Sequence, residues 1–281
     1  MALLEWRGAT GAVVQVHDKV VGEQGPAVVF VHAGGFDHNE WSSLLRHLHG
    51  WPLRAHLPDL FNAGQTGAWP GAAPPTPAEQ ARILDVVVDA IGEPIHLVGH
   101  SYGGGIALRW AEANLSRLLS LAVIEPTRPA LLTGSGSTAY RVALNDANRA
   151  MTRCRDLVAE NPEQAARHFI EYWAGAKFWG FIPGQFRAAM ATEMERMIGS
   201  WYALLEETMD DQALASFERP ALIIRAEDSS VASQAMCDAL SERLPRAHRR
   251  VVAGSGHMIP LTHPRQLASL LQDHINATSS R

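Results

Sequence analysis

The chain has 281 residues, 47% of them hydrophobic and 19% charged, with a formal net charge of −5. That balance suits a domain able to bury a large core, and without a basic excess nucleic acid is not an expected partner. No apolar run reaches the length of a membrane span.

Met1 to Arg7 has neither the charged start nor the apolar core of a secretory signal. The two cysteines, Cys154 and Cys237, show no metal-ligand spacing and no disulfide framework. A cytoplasmic location is therefore expected. Ala27 to His32 is a continuous apolar, β-branched run, as in a strand buried on both faces. Leu53 to Leu57 is a weaker strand, stopped by Pro58 and Asp59. Thr76 and Pro77 offer an N-cap with proline at the first helical position, opening a helix that should run to Ile91. Ile95 to Gly99 is the next strand, Tyr102 to Ala113 the helix leaving it, and Leu118 to Ile124 another strand. From about Thr127 to Glu218 the pattern is helical. Alternation then resumes with a strand at Ala221 to Arg225, a helix near Gln234 to Leu244, a strand at His248 to Val252 and a last helix from about Pro264. Such alternation, broken by one helical block, implies a mostly parallel sheet with an inserted cap. The chemistry should sit at the carboxyl ends of the strands.

Gly99-His100-Ser101-Tyr102-Gly103, followed by Gly104 and Gly105, falls between a strand and a helix. A serine held on a strained strand-to-helix turn needs neighbours almost without side chains. The helix behind it aims its N-terminal amides at a developing oxyanion. His32-Ala33-Gly34-Gly35 closes the first buried strand, and its small residues let a backbone amide point into a site. One oxyanion donor is assigned to Tyr102 and the other to Gly34, with Ala33 and Gly35 left open. His32 is expected to brace this loop. His257, in Gly254-Ser255-Gly256-His257-Met258, follows the strand ending at Val252 and can supply the base that a serine hydroxyl needs. His17, His47, His49 and His248 are expected on solvated faces or loops, and His263 ahead of the last helix. His38 is placed in the oxyanion loop, where it could line the pocket, and His100 is assigned to packing.

Together these segments resemble the α/β-hydrolase superfamily over nearly the whole chain. The resemblance rests on the His-x-Gly-Gly loop, Pro58-Asp59-Leu60, the glycine-rich elbow at Ser101 and the closing stretch from Gly256 to Pro264. It implies an eight-stranded, mostly parallel sheet with helices on both faces, a triad in the order serine, acid, histidine, and no cofactor or metal. Ser101 sets the chain apart from the haloalkane dehalogenase and epoxide hydrolase branches, which use an aspartate nucleophile. In one respect the chain departs from the pattern. The family usually carries its acid after the penultimate strand, as G-x-x-D, whereas Ala226-Glu227-Asp228-Ser229-Ser230 has a serine at that position. Some branches carry the acid after the strand that follows the elbow helix, where this chain has Glu125. Glu125 is therefore the expected acid and Asp228 the alternative. The competing reading of Glu125 is a strand-end ion pair with a residue such as Arg128.

The expected organisation is a core at residues 1–126 and 218–281 with a helical cap at 127–217. Trp173, Trp179, Phe178, Phe181 and Trp201 fall in the cap, most of them as packing, with one or two free to line a pocket. No arginine cluster favours a charged substrate. The expected activity is hydrolysis of a small to medium, largely uncharged carboxylic ester, thioester or lactone through an acyl-enzyme. A carbon–carbon bond hydrolase or lyase is the rival enzyme, and a non-catalytic binding protein the rival of another class. The sequence leaves a homo-oligomer open.

Overall fold

The computed structural model describes residues 4–133, 136–208 and 211–279. β1 (Leu4–Arg7) and β2 (Val13–Val16) pair antiparallel with each other. β3 (Asp18–Val21), β4 (Ala27–Val31), α1 (Ser42–His47) and β5 (Arg54–Pro58) follow, then α2 (Pro77–Ile91), β6 (Ile95–His100), α3 (Ser101–Ala113) and β7 (Leu118–Ile124). Among the described residues, five α-helices separate β7 from the next strand: α4 (Thr138–Val158), α5 (Pro162–Ala174), α6 (Phe178–Phe181), α7 (Gly184–Glu206) and α8 (Asp211–Ala215). β8 (Ala221–Ala226), α9 (Val231–Arg243), β9 (Ala247–Val252), α10 (Ile259–Thr262) and α11 (Pro264–Ser279) complete the chain. Among the described residues, no helix is long and apolar enough to cross a membrane.

The main sheet runs β3-β5-β4-β6-β7-β8-β9, with β3 antiparallel to β5 and the other pairs parallel. Among the described residues it has seven strands where the resemblance implies eight. The difference lies at the N-terminus, where β1 and β2 form their own ladder across a turn in which Gly11 takes φ +85°. Trp6 from this ladder packs against Phe61 and Trp69, with ring centroids 5.2 and 5.4 Å away. The ladder thus buries its apolar face without lengthening the sheet.

β4 shows how the core is divided. Side chains alternate across a strand, so Val29 and Val31 join one cluster with Ile106, Trp110 and the α2 residues Leu84 and Val87. Val28 and Phe30 join another with Trp41, Leu44, Leu267 and Leu271 on the opposite face. Each such buried side chain contributes about 1.5–3 kcal/mol, and both faces being covered explains the unbroken apolar run of β4 and the complete burial of β6. α2 starts and stops where its signals say. Thr76 and Glu79 form a reciprocal capping box, and Gly92 ends the helix in the left-handed region at φ +74°. The parallel strands thereby deliver the residues after β4, β6, β7, β8 and β9 to one end of the sheet.

Candidate active site

Ser101 begins α3 directly after β6 and adopts φ +52°. Non-glycine residues rarely occupy this region, which costs on the order of 1–3 kcal/mol and survives only where the surroundings hold it. The surroundings here are glycines packed against backbone. A Cβ on Gly103 would lie 2.3 Å from the His32 carbonyl oxygen, and one on Gly99 would lie 2.6 Å from the Gly103 oxygen. Any side chain at these positions would push α3 away from β4 and β6 and withdraw the serine. The Ser101 carbonyl accepts from the Thr127 amide at 2.9 Å, and its hydroxyl lies 3.3 Å from the Thr127 hydroxyl.

Glu125, at the end of β7, is also left-handed, at φ +47°, and its side chain is fully buried. Its Oε1 accepts from the Ala226 amide at 2.7 Å, which anchors the carboxylate to β8. Its Oε2 lies 3.2 Å from His257 Nδ1, and His257 Nε2 lies 2.8 Å from the Ser101 hydroxyl. A carboxylate only accepts. Nδ1 therefore carries the hydrogen and donates to Glu125, leaving Nε2 to accept from the serine. Burial pushes the His257 pKa below its ordinary value. The Glu125 hydrogen bond offsets part of that, and nearby His100 pushes it further down. A histidine kept neutral in this way can take a proton from serine at neutral pH.

The Ala33 amide is taken by the Glu40 carboxylate at 2.7 Å, so among the open oxyanion candidates Ala33 is already spent. Gly34 faces the start of α3, where a Cβ on it would meet the Tyr102 Cβ at 3.4 Å. Among the described residues, the Gly34 amide has no hydrogen-bond acceptor. Tyr102 is in the first turn of α3, where amides have no partner within the helix. Over these groups stand α5 and α7. The Trp173 ring lies 5.7 Å from both His257 and Trp201, and Met197 presses on Gly35. Trp179 instead stacks under Arg187, and Phe181 is 81% exposed.

Asp228, the alternative acid, is exposed, and its amide donates to the Ser255 carbonyl at 2.9 Å. Arg128 pairs with Glu112 at 2.8 Å, so the strand-end ion pair considered for Glu125 does not form. His17 is on the loop between β2 and β3 but is partly buried, and His38 is buried. Both point Nδ1 at the buried Asp59, at 2.8 and 3.0 Å. His17, His38 and Asp59 are also the one metal-capable group found among the described residues. The Asp59 carboxylate accepts from both rings and from the amides of His38 and Gln65, which fills its lone pairs. That makes it a loop brace. His32 braces as expected, between the Ala33 carbonyl and the Leu60 amide. His100 does more than pack, since it meets the Glu40 carboxylate at 2.5 Å. Sequence reasoning also missed Ser233, whose hydroxyl is 3.3 Å from His257 Nδ1. A serine inside a helix gives no local signal of such a role.

The sequence model of the alpha/beta hydrolase family matches residues 28–270. The chain is 25% identical to lipase LipV of Mycobacterium tuberculosis, over 94% of this chain and 98% of that protein. It is 26% identical to a pimeloyl-[acyl-carrier protein] methyl ester esterase of Aromatoleum aromaticum, over 88% of this chain and 97% of that one. Among solved structures it is similar to a thermophilic esterase from Thermogutta terrifontis, with TM-score 0.76 at 20% identity, covering 99% of this chain and 98% of that one.

Proposed function

The chain belongs to the alpha/beta hydrolase family, and from that premise we propose that it is a serine hydrolase cleaving a small to medium, largely uncharged carboxylic ester, thioester or lactone. The observation that carries this reading is the hydrogen-bonded row from Ser101 through His257 to Glu125. In the proposed reaction the Ser101 oxygen attacks the carbonyl carbon while His257 takes the hydroxyl proton at Nε2. Glu125 holds the ring in the required tautomer and stabilises the imidazolium that forms. The amides of Gly34 and Tyr102 donate to the tetrahedral oxygen. His257 returns its proton to the leaving alcohol, and a water then repeats the sequence on the acyl-enzyme. Residues 127–217 act as a cap whose Trp173, Trp201 and Met197 exclude water and favour an apolar substrate. The names of the lipase and the methyl ester esterase support the ester class. A cytoplasmic location is part of the same proposal.

The test is covalent labelling with a fluorophosphonate, followed by turnover of esters of graded chain length beside a β-diketone. Wild type should label and hydrolyse at least one ester. Ser101→Ala should not label and should keep only the residual catalysis of binding and oxyanion donors, on the order of 10³–10⁴-fold over water by analogy with other triads. Turnover of the diketone but of no ester would replace the ester reading with carbon–carbon hydrolysis.

A further inference from the structure

His100 precedes Ser101 in β6, and neither it nor Glu40 exposes any side-chain surface. Its Nδ1 meets Glu40 Oε1 at 2.5 Å and its Nε2 meets the His257 carbonyl oxygen at 3.0 Å. A carbonyl oxygen can only accept, so Nε2 must carry a hydrogen. The Nδ1 contact needs a hydrogen as well, and imidazole is a stronger base than a carboxylate. His100 therefore holds both ring hydrogens and a positive charge beside an ionised Glu40. The other Glu40 oxygen accepts from the Ala33 amide at 2.7 Å, one residue before the proposed oxyanion donor Gly34. One buried pair thus ties the loop after β4 to the loop that carries the base.

We propose that Glu40 and His100 are positioning residues, a buried ion pair that fixes the oxyanion loop and the His257 loop together, its His100 member opposing protonation of His257. The proposal rests on His257 being the base. The His100 ring centroid is 5.2 Å from that of His257, close enough for its charge to disfavour a second cation. The groups facing His257 are Glu125 from β7, His100 from β6, Glu40 from the turn at His38–Trp41, Ser101 from α3 and Ser233 from α9. Those facing His100 are Glu40, the His257 carbonyl and, more distantly, Glu125. His100 is the only cation among them. Although burial opposes its charge, Glu40 leaves the His100 pKa raised.

Ring-¹⁵N NMR of the protein tests this without any substrate, so its outcome is separate from that of the ester-hydrolase reading. In wild type, one histidine of the 13 should keep both ring hydrogens at about pH 9, where an ordinary histidine is neutral. That signal should vanish in His100→Gln. If every histidine is neutral there in wild type, the ion pair does not exist, and this result needs no variant to fold. In folded His100→Gln, the His257 titration should move up by about one pH unit, and by less when Glu40→Gln is added. An unmoved titration would reduce His100 to packing. Glu40→Gln should lower kcat on a turned-over ester by about tenfold, with KM within about twofold. A change confined to KM would overturn the oxyanion half of the proposal.

Discussion

The loops leaving β7 and β8 both carry carboxylates, and the two loops meet His257 and its own loop in different ways. After β7, Glu125 is fully buried and left-handed, with one oxygen on the Ala226 amide and the other on His257 Nδ1. After β8, Glu227 and Asp228 are exposed. Glu227 accepts from the Gly254 amide at 2.8 Å, while the Asp228 amide donates to Ser255. The second loop clamps the backbone of the histidine loop, and the first addresses the histidine ring. What separates them is burial. A carboxylate without water needs donors around it, and Glu125 finds one in the Ala226 amide and the other in the ring of His257. The exposed Glu227 carboxylate shares its lone pairs between solvent and the Gly254 amide, and it holds backbone but no ring.

The most damaging way to break this comparison is to remove each charge in turn. Glu125→Gln should reduce kcat by about 10⁴-fold, the loss seen in a well-studied triad when the orienting acid is made an amide. Asp228→Asn should stay within about threefold of wild type, since it keeps the amide that holds Ser255. Both values are read as kcat on one ester, with circular dichroism and thermal unfolding to show that each variant is folded. A crippled Asp228→Asn beside a nearly normal Glu125→Gln would move the acid to the β8 loop.

A smaller effect sharpens the same contrast through pH. The protonated form of His257 cannot accept the serine proton, so kcat/KM should rise with pH through the free enzyme's histidine ionisation. Burial, with His100 adding to it, puts that ionisation below the usual histidine value, so the midpoint should fall below about pH 6.5. The Glu125 hydrogen bond works the other way and raises the His257 pKa. Glu125→Gln should therefore move the acid limb to still lower pH, whereas Asp228→Asn should leave it in place. A limb that stays put in folded Glu125→Gln would mean that the carboxylate does not act on His257 Nδ1.

How far the sequence discloses these relations depends on whether they are local. The glycines around Ser101 and His257 announce themselves because a tight turn and a close approach restrict residue type within a few positions. α2, β4, β6 and β7 are legible for a similar reason, as caps and largely apolar runs are local too. The expectation of Glu125 over Asp228 rests on strand alternation, and the structure leaves Asp228 exposed and buries Ser229 beside it. The Glu40–His100 pair was out of reach, since its members are 60 positions apart and nothing near either one signals the other. β1 to β3 escaped notice because strands of four residues, partly exposed, leave too short a pattern.

The smallest effect concerns Ser233, the β8 side's one polar contribution to the His257 ring. It lies in the first turn of α9, fully buried, and its hydroxyl is 3.3 Å from Nδ1 while Glu125 Oε2 is at 3.2 Å. Nδ1 has a single hydrogen, so the two oxygens compete for it. The carboxylate takes the larger share because a charged acceptor binds about twice as strongly as a neutral one. The serine then acts as a weak second acceptor that limits rotation of the ring. A neutral hydrogen bond of this kind contributes about 0.5–1.5 kcal/mol, equivalent to roughly two- to tenfold in rate. Ser233→Ala should therefore lower kcat by that factor and leave the acid limb close to that of wild type. In the Glu125→Gln background the serine faces a weaker competitor, so adding Ser233→Ala should cost more than it does alone. The measurement is a double-mutant cycle in kcat at one pH on the plateau. Strict additivity would show that the two oxygens do not share the hydrogen, and that the β8 side contributes only its clamp on the backbone.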